Sequence, residues 1–273
     1  LEALRSEAPG QVETETIDIT RDDAPERLAR LVERLGGMEI YFHASGIGSR
    51  NTALRPDIEL NTLRTNGEGF VRMVTAAFGH FRSHGGGRIA VISSIAGTKG
   101  LGSAPAYSAT KRMQNTYIDA LAQLSRMENC GIRFTDIRPG FVATPLLSGD
   151  GRYPMLMRTE KVAARIMHVL RHPRRRVVID RRYALMVFFW KLIPEWLWER
   201  LNIRKDDCPD KAPQKDFRGV FLRRGEKITT FVPHGTTATY PQRAASDNGN
   251  GSADPARGGH PDRRTHDQQR GRA

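Results

Sequence analysis

Cysteine is scarce in this chain, with only Cys130 and Cys208 in 273 residues. Two such residues cannot supply a disulfide framework and have no metal-ligand spacing, so a reducing compartment is the default. Long apolar runs are missing too. The most apolar stretch, Tyr183–Leu201, is broken by Lys191, Pro194 and Glu195 and is too short to span a bilayer. No basic segment followed by an apolar one opens the chain at Leu1, so nothing there resembles a signal peptide. From His234 to Ala273 there is no Val, Ile, Leu, Met, Phe or Trp. That stretch cannot bury enough apolar area to offset chain entropy and reads as a disordered tail. Acidic residues are outnumbered, which leaves a net charge of +13 and invites a nucleic-acid or anionic-membrane reading. What is present, 38% hydrophobic and 27% charged residues, is ordinary for a globular protein and excludes collagen-like, coiled-coil and wholly disordered classes.

Before Leu201 short β-like runs alternate with longer helical patterns, the signature of βα units around a parallel sheet. Val12, Thr14, Thr16 and Ile17–Ile19 read as a strand. Leu28, Leu31, Val32 and Leu35 recur at i, i+3, i+4 and i+7, a helix begun near Asp23 and closed by Gly36-Gly37. Met38–Phe42, Arg88–Ser93, Ile132–Ile137 and Arg176–Ile179 read as strands; Leu60–Phe81, Ala104–Met127 and Thr159–Arg171 read as helices. Five strands and four crossovers predict an open, doubly wound, Rossmann-like α/β domain over residues 1–201. Residues 202–233 form a mixed, charged extension with no fold of its own, and 234–273 the tail.

In such sheets ligands bind beyond the C-terminal ends of the strands. After the Arg88 strand comes Ser93-Ser94-Ile95-Ala96-Gly97, and at the start of the next helix Tyr107-Ser108-Ala109-Thr110-Lys111. Tyr107 and Lys111 are four apart and share a helix face. A phenol titrates near 10 and a neighbouring ammonium favours the phenolate, so the pair is a candidate general acid/base. A serine hydroxyl from the preceding strand end can hold a substrate oxygen beside it.

Tyr107-x-x-x-Lys111 with Ser94 thirteen positions earlier resembles the active-site signature of the short-chain dehydrogenase/reductases. Other features fall in that family's order. Asn66, 41 residues before Tyr107, matches the asparagine of the catalytic tetrad. His43-Ala44-Ser45-Gly46 stands where the family has Asn-Asn-Ala-Gly, with only the last glycine kept. Pro139-Gly140-Phe141-Val142-Ala143-Thr144 matches the stretch bordering the nicotinamide, and Asp18, before Ile19, the aspartate facing the adenine. The resemblance covers about Asp18 to Pro145. It implies an NAD(P)-dependent oxidoreductase that moves hydride between nicotinamide and a ketone or secondary alcohol. Tyr107 would be the general acid/base and Ser94 would hold the substrate oxygen. Lys111 would lower the tyrosine pKa and bind the ribose, and Asn66 would anchor a water linking Lys111 to solvent. Asp18, Ile19, Ala44, Gly46, Tyr107, Lys111, Pro139, Gly140, Val142 and Thr144 would contact cofactor. NADP is placed ahead of NAD only by analogy with reductive members of the family, and a homo-oligomer is what the family implies.

The family's Thr-Gly-x-x-x-Gly-x-Gly turn, whose glycines admit the pyrophosphate, does not occur before Asp18. Leu1–Glu7 resembles the end of the preceding crossover helix. The chain thus reads as N-terminally truncated, with open edges on the Asp18 and Met38 strands and weak or no binding of NAD(H) or NADP(H) as it stands. An inactive truncated or frame-shifted fragment is the alternative reading.

His43 reads as a turn histidine near the adenosine rather than a base, and Phe141 as packing. Met155, Leu156 and Met157 read equally as an apolar substrate lid or as core. Six arginines in twelve residues, Arg171, Arg174, Arg175, Arg176, Arg181 and Arg182, precede Phe188-Phe189-Trp190, Trp196 and Trp198. This pattern suits peripheral membrane contact through Arg171–Leu201 by a cytoplasmic protein with a hydrophobic or lipid-linked substrate, and equally a cover for the cleft or an oligomer face. Nucleic-acid binding rests on charge alone, with no recognised module behind it.

Overall fold

The computed structural model describes residues 12–144, 147, 153–203, 220–222 and 228–229. The expectations for Leu1–Glu7, for most of the extension and for the 234–273 tail lie outside the described residues.

Helix α1 (Ala24–Arg34) places Ala24, Leu28, Leu31 and Val32 on one buried face. Strand β1 (Ile40–His43) follows, then helix α2 (Pro56–Leu63) with proline at its start, where an N–H would have no partner anyway. A π-turn at Arg64–Gly69 leads without a break into α3 (Phe70–Ser83). Next come β2 (Gly87–Ile92), a 3-10 turn at Ile95–Thr98, the long α4 (Pro105–Met127) and β3 (Ile132–Arg138). Helix α5 (Thr159–Arg171), β4 (Arg176–Val178), α6 (Arg181–Leu192) and the single turn α7 (Glu195–Trp198) follow. Two short strands, β5 (Val220–Leu222) and β6 (Ile228–Thr229), end the described part.

The sheet order is β4-β3-β2-β1-β5-β6. β1 to β4 are mutually parallel, as the helical crossovers require, and β5 and β6 are antiparallel additions. Alternate residues of each strand feed opposite cores. Tyr41, Ile89, Val91, Ile132 and Phe134 pack with α1, α3 and α4. Ile40, Phe42, Ala90, Ile137 and Val177 pack with α5 and α6. This is the three-layer doubly wound α/β architecture expected from the alternation of patterns.

Four expectations are corrected. Residues 12–19 form no strand, although Ile17 and Ile19 are buried in the core. An extended segment becomes a strand only beside a partner, and the free edge of β1 is taken by β5, with Ile40 opposite Leu222. For the same reason β1 is not left open, and the extension, read as lacking structure, supplies two strands at its two short apolar runs. The single helix expected over Leu60–Phe81 is divided by the π-turn.

Asp136 on β3 is wholly buried and ties the parallel sheet to α4. It accepts hydrogen bonds from Ser93 Oγ, from Asn115 Nδ2 (3.2 Å) and from Arg138 Nε (2.8 Å) and Nη2 (2.6 Å). Removing one member of such a buried ionic group leaves the others uncompensated. Asp136→Ala is therefore expected to cost roughly 3 kcal/mol or more in urea unfolding. Glu160→Ala, which breaks only the exposed pair with Arg158, leaves the midpoint unchanged.

Candidate active site

The C-terminal end of β2 and the loop after β1 meet at Lys111. The ammonium, one turn after Tyr107 on α4, is buried and donates to the Ile92 carbonyl at the end of β2 (3.2 Å) and to Gln114 Oε1 (3.1 Å). Burial pulls it down to about 8, against the opposing pull of the Asp136 carboxylate. Its Nζ lies 5.8 Å from the centre of the Tyr107 ring.

The Tyr107 phenol shares a hydrogen bond with Ser94. Ser94 caps the 3-10 turn, its Oγ accepting from Ala96 N–H at 3.1 Å, which leaves its own proton free to give. Burial holds the phenol above its usual range, and the Ser94 contact offsets only part of this. The depression of the phenol by Lys111 expected from sequence is not seen. The ammonium points its protons at Ile92 and Gln114, and desolvation of the ring dominates.

Asn66 sits inside the π-turn. Its side chain closes a two-way clamp on one backbone unit, Oδ1 accepting from Ile47 N–H (2.8 Å) and Nδ2 donating to Ile47 O (2.7 Å). The clamp holds the Gly46–Gly48 loop over the site. At Gly46 a β-carbon would crowd the Asn66 Oδ1 of the clamp at 3.2 Å and touch Lys111 Nζ at 3.4 Å. At Gly48 one would lie 2.7 Å from the Tyr107 ring.

Asn66 and Lys111 are joined through a side chain that sequence reading missed. Gln114 is fully buried, and its Nε2 donates to the Asn66 carbonyl at 2.8 Å while its Oε1 accepts from Lys111. The accepting carbonyl lies within the π-turn, a helix form that recurs at functional sites. The signal was available, since Gln114 lies three residues after Lys111 and so on the same helix face.

The Pro139–Thr144 segment lies beyond β3. The Ile95 N–H donates to Pro139 O (3.1 Å), and Val142 bridges in parallel to Met157. Tyr183 of α6, also unanticipated, fixes this loop. Its hydroxyl accepts from Phe141 N–H (3.1 Å) and donates to Pro154 O (2.8 Å), and its ring fills the space a side chain at Gly140 would need. The Thr144 hydroxyl donates to its neighbour Val142 O at 3.4 Å. Met157 is buried and Met155 packs against the same core, whereas Leu156 is exposed. Asp18 is exposed, and its Oδ1 is engaged by the Thr20 N–H (3.0 Å) and hydroxyl (2.7 Å). Ile19 is buried and gives its carbonyl to Arg72. Ala44 is half-buried at the end of β1.

His43 is completely buried, 2.9 Å from the Tyr41 hydroxyl through Nδ1 and edge-on to Phe70. Burial first, then the Lys111 charge, lowers it to about 3 against a weaker opposing bond with Ser45. The ring is neutral at physiological pH, which fits a packing role rather than a base.

For the nicotinamide group, the donor set around Lys111 fits. Among the described residues two acceptors engage the three-proton ammonium, so one N–H remains for a ribose hydroxyl.

Residues 1–152 match the family described as short chain dehydrogenase. An uncharacterised oxidoreductase of Myxococcus xanthus is 32% identical over 166 residues, 58% of this chain and 65% of that protein. The sepiapterin reductase of Chlorobaculum tepidum is 30% identical over 183 residues, 64% of this chain and 74% of that protein. The chain thus spans about two thirds to three quarters of the length of these relatives. Among solved structures, a short chain dehydrogenase from Burkholderia cenocepacia in complex with NADP superposes with a TM-score of 0.59 at 19% identity, covering 71% of this chain and 78% of that one. At that identity the likeness speaks to the fold.

The His43 environment makes stability depend on pH. The unfolded chain takes up a proton at His43 below about pH 6.5, and the folded chain refuses it until about pH 3. Stability from this residue is therefore lost as pH falls through that window, by up to about 1.4 kcal/mol per unit. Urea unfolding between pH 7 and pH 4 is expected to show a shallower loss in His43→Asn than in the parent; identical slopes would refute the assignment.

Proposed function

The chain belongs to the short-chain dehydrogenase family, and on that premise we propose that it acts as an NAD(P)-dependent oxidoreductase on a ketone or secondary alcohol. The observation that carries this reading is the Tyr107 ring 5.8 Å from the buried Lys111 ammonium, with Ser94 capping the turn after β2, at the strand ends where such sheets bind ligands. The oxidoreductase names of the two relatives and the NADP complex of the Burkholderia structure support it.

Bound nicotinamide supplies a hydride donor or acceptor. The chain's own groups handle the proton. Ser94 turns its hydroxyl hydrogen bond to the substrate oxygen, keeping its own proton, and so holds that oxygen at the Tyr107 phenol. Tyr107 passes a proton to the oxygen in reduction and takes it back in oxidation. A phenol held high by burial keeps its proton in the resting state, which suits it to the acid role. The remaining N–H of Lys111 is directed to a ribose hydroxyl, and Gln114 and Ile92 fix the ammonium against rotation. Ala44 and Gly46 at the end of β1, with Pro139–Thr144 beyond β3, flank the same opening, and the Thr144 hydroxyl and Val142 backbone are assigned to the carboxamide. Asp18 and Ile19 are assigned to the adenine end. The exposed Leu156 favours a hydrophobic substrate, and NADP is preferred to NAD by analogy with reductive members of the family. The cytoplasm is assigned on cysteine usage.

Tyr107→Phe removes the transferable proton and leaves the ring in place. Across a panel of hydrophobic ketones with NADPH, kcat/KM is expected to fall by about a hundredfold or more. A loss of only a few-fold would overturn the role of Tyr107. A parent chain without turnover on any member of the panel would favour the inactive-fragment reading.

A further inference from the structure

Helix α6 is apolar on all sides, a pattern that ordinarily marks a helix buried all round. One face is buried, through Tyr183 and Val187. The other is not. Leu185, Phe188, Phe189 and Leu192 recur along one stripe and are 54–62% exposed, and Trp196 on the next turn is 60% exposed. Isolated exposed apolar residues are normal, but a contiguous patch of this kind marks a contact surface.

Residues 234–273 contain no large aliphatic residue, phenylalanine or tryptophan, so that segment carries no apolar surface to match the stripe. A second copy is disfavoured by charge. Arg181 stands at one end of α6 and Lys191 near the other, so parallel or antiparallel pairing of two such helices sets cation against cation. The nearest carboxylates are committed, Asp180 to Arg182 (2.7 Å) and Glu195 to Lys99 (2.6 Å). Trp196 carries Arg200 over its ring at 5.4 Å, an amphipathic pair of the type found at headgroup depth. No helix among the described residues is long and apolar enough to cross a membrane.

We propose that the α6–α7 face docks on an anionic lipid surface, with the stripe from Leu185 to Trp196 in the headgroup–acyl boundary and Arg181, Lys191 and Arg200 on the lipid phosphates. The arginines at 175 and 176 are not part of this surface, because both are paired with Asp119 on α4. The docking face adjoins the catalytic rim. Lys99, five residues after Ser94, donates to Ile193 O (2.8 Å) at the α6–α7 corner, and Trp198 Nε1 donates to Gly100 O (2.7 Å). A lipid surface on this face therefore lies beside the site's opening. The proposal stands on the surface alone and does not depend on the redox reading.

The test is co-flotation of the full chain with vesicles of phosphatidylcholine alone or mixed with phosphatidylglycerol. Binding is expected to the mixed vesicles, to weaken in high salt, and to blue-shift tryptophan emission. Phe188→Glu/Phe189→Glu changes only exposed positions, and its far-UV circular dichroism should match the parent's. Its partition is expected to drop by about tenfold or more. Arg181→Gln/Lys191→Gln should lose the salt-sensitive part and keep the rest. Failure of the parent to float with mixed vesicles would overturn the proposal. So would a parent that sediments as a dimer while the phenylalanine double variant is monomeric, which would give the face to a second copy.

Discussion

The burial of one ammonium group governs the architecture of the site. An ammonium taken out of water is costly unless its protons are accepted, and it answers burial by becoming easier to deprotonate. Lys111 is placed where β2 ends, so Ile92 can offer it a carbonyl that the sheet no longer needs. Gln114, one turn along the same helix, offers a second acceptor and is itself held by the Asn66 carbonyl. That carbonyl lies within the π-turn at Arg64–Gly69. The same asparagine uses its amide to clamp Ile47, which brings Gly46 and Gly48 close over Lys111 and Tyr107. Asp136, buried beneath the site, supplies the negative charge that holds the ammonium protonated further than burial alone would allow. Strand end, π-turn, glycine loop and buried acid are thus parts of one solution to one electrostatic problem.

The second half of the site is organised by packing rather than charge. Tyr183 reaches from α6 into the loop after β3, and Gly140 admits its ring. The helix that steadies the Pro139–Thr144 segment from inside therefore presents Phe188 and Phe189 outside. The inner contact with the loop and the exposed outer stripe thus belong to one helix of twelve residues.

Residues whose placement follows from period and position were legible in the sequence. Tyr107 and Lys111 share a face because they are four apart, and Ser94 sits at a strand end because Arg88–Ile92 is an apolar, β-prone run before a small-residue turn. The alternation of patterns was enough for the parallel sheet and its crossovers. Features that depend on a distant partner were not legible. The π-turn lies in a stretch whose apolar period looks like ordinary helix, and it is stabilised by Gln114, 48 residues away. The extended segment ending at Asp18 has strand-like composition but no neighbour to bond, and β5 fills that edge from a part of the chain too charged on average to suggest structure. The tyrosine pKa depended on where the lysine protons point, which spacing cannot say.

The most direct measurement is the titration of Lys111 in the folded chain, followed by NMR of lysines labelled at the ε-carbon and ζ-nitrogen. One lysine signal, identified by its loss in Lys111→Met, is expected to titrate near pH 8, well below the ordinary lysine value of 10.5. A Lys111 signal that titrates together with the exposed lysines would contradict the claim that a buried, hydrogen-bonded ammonium organises this site.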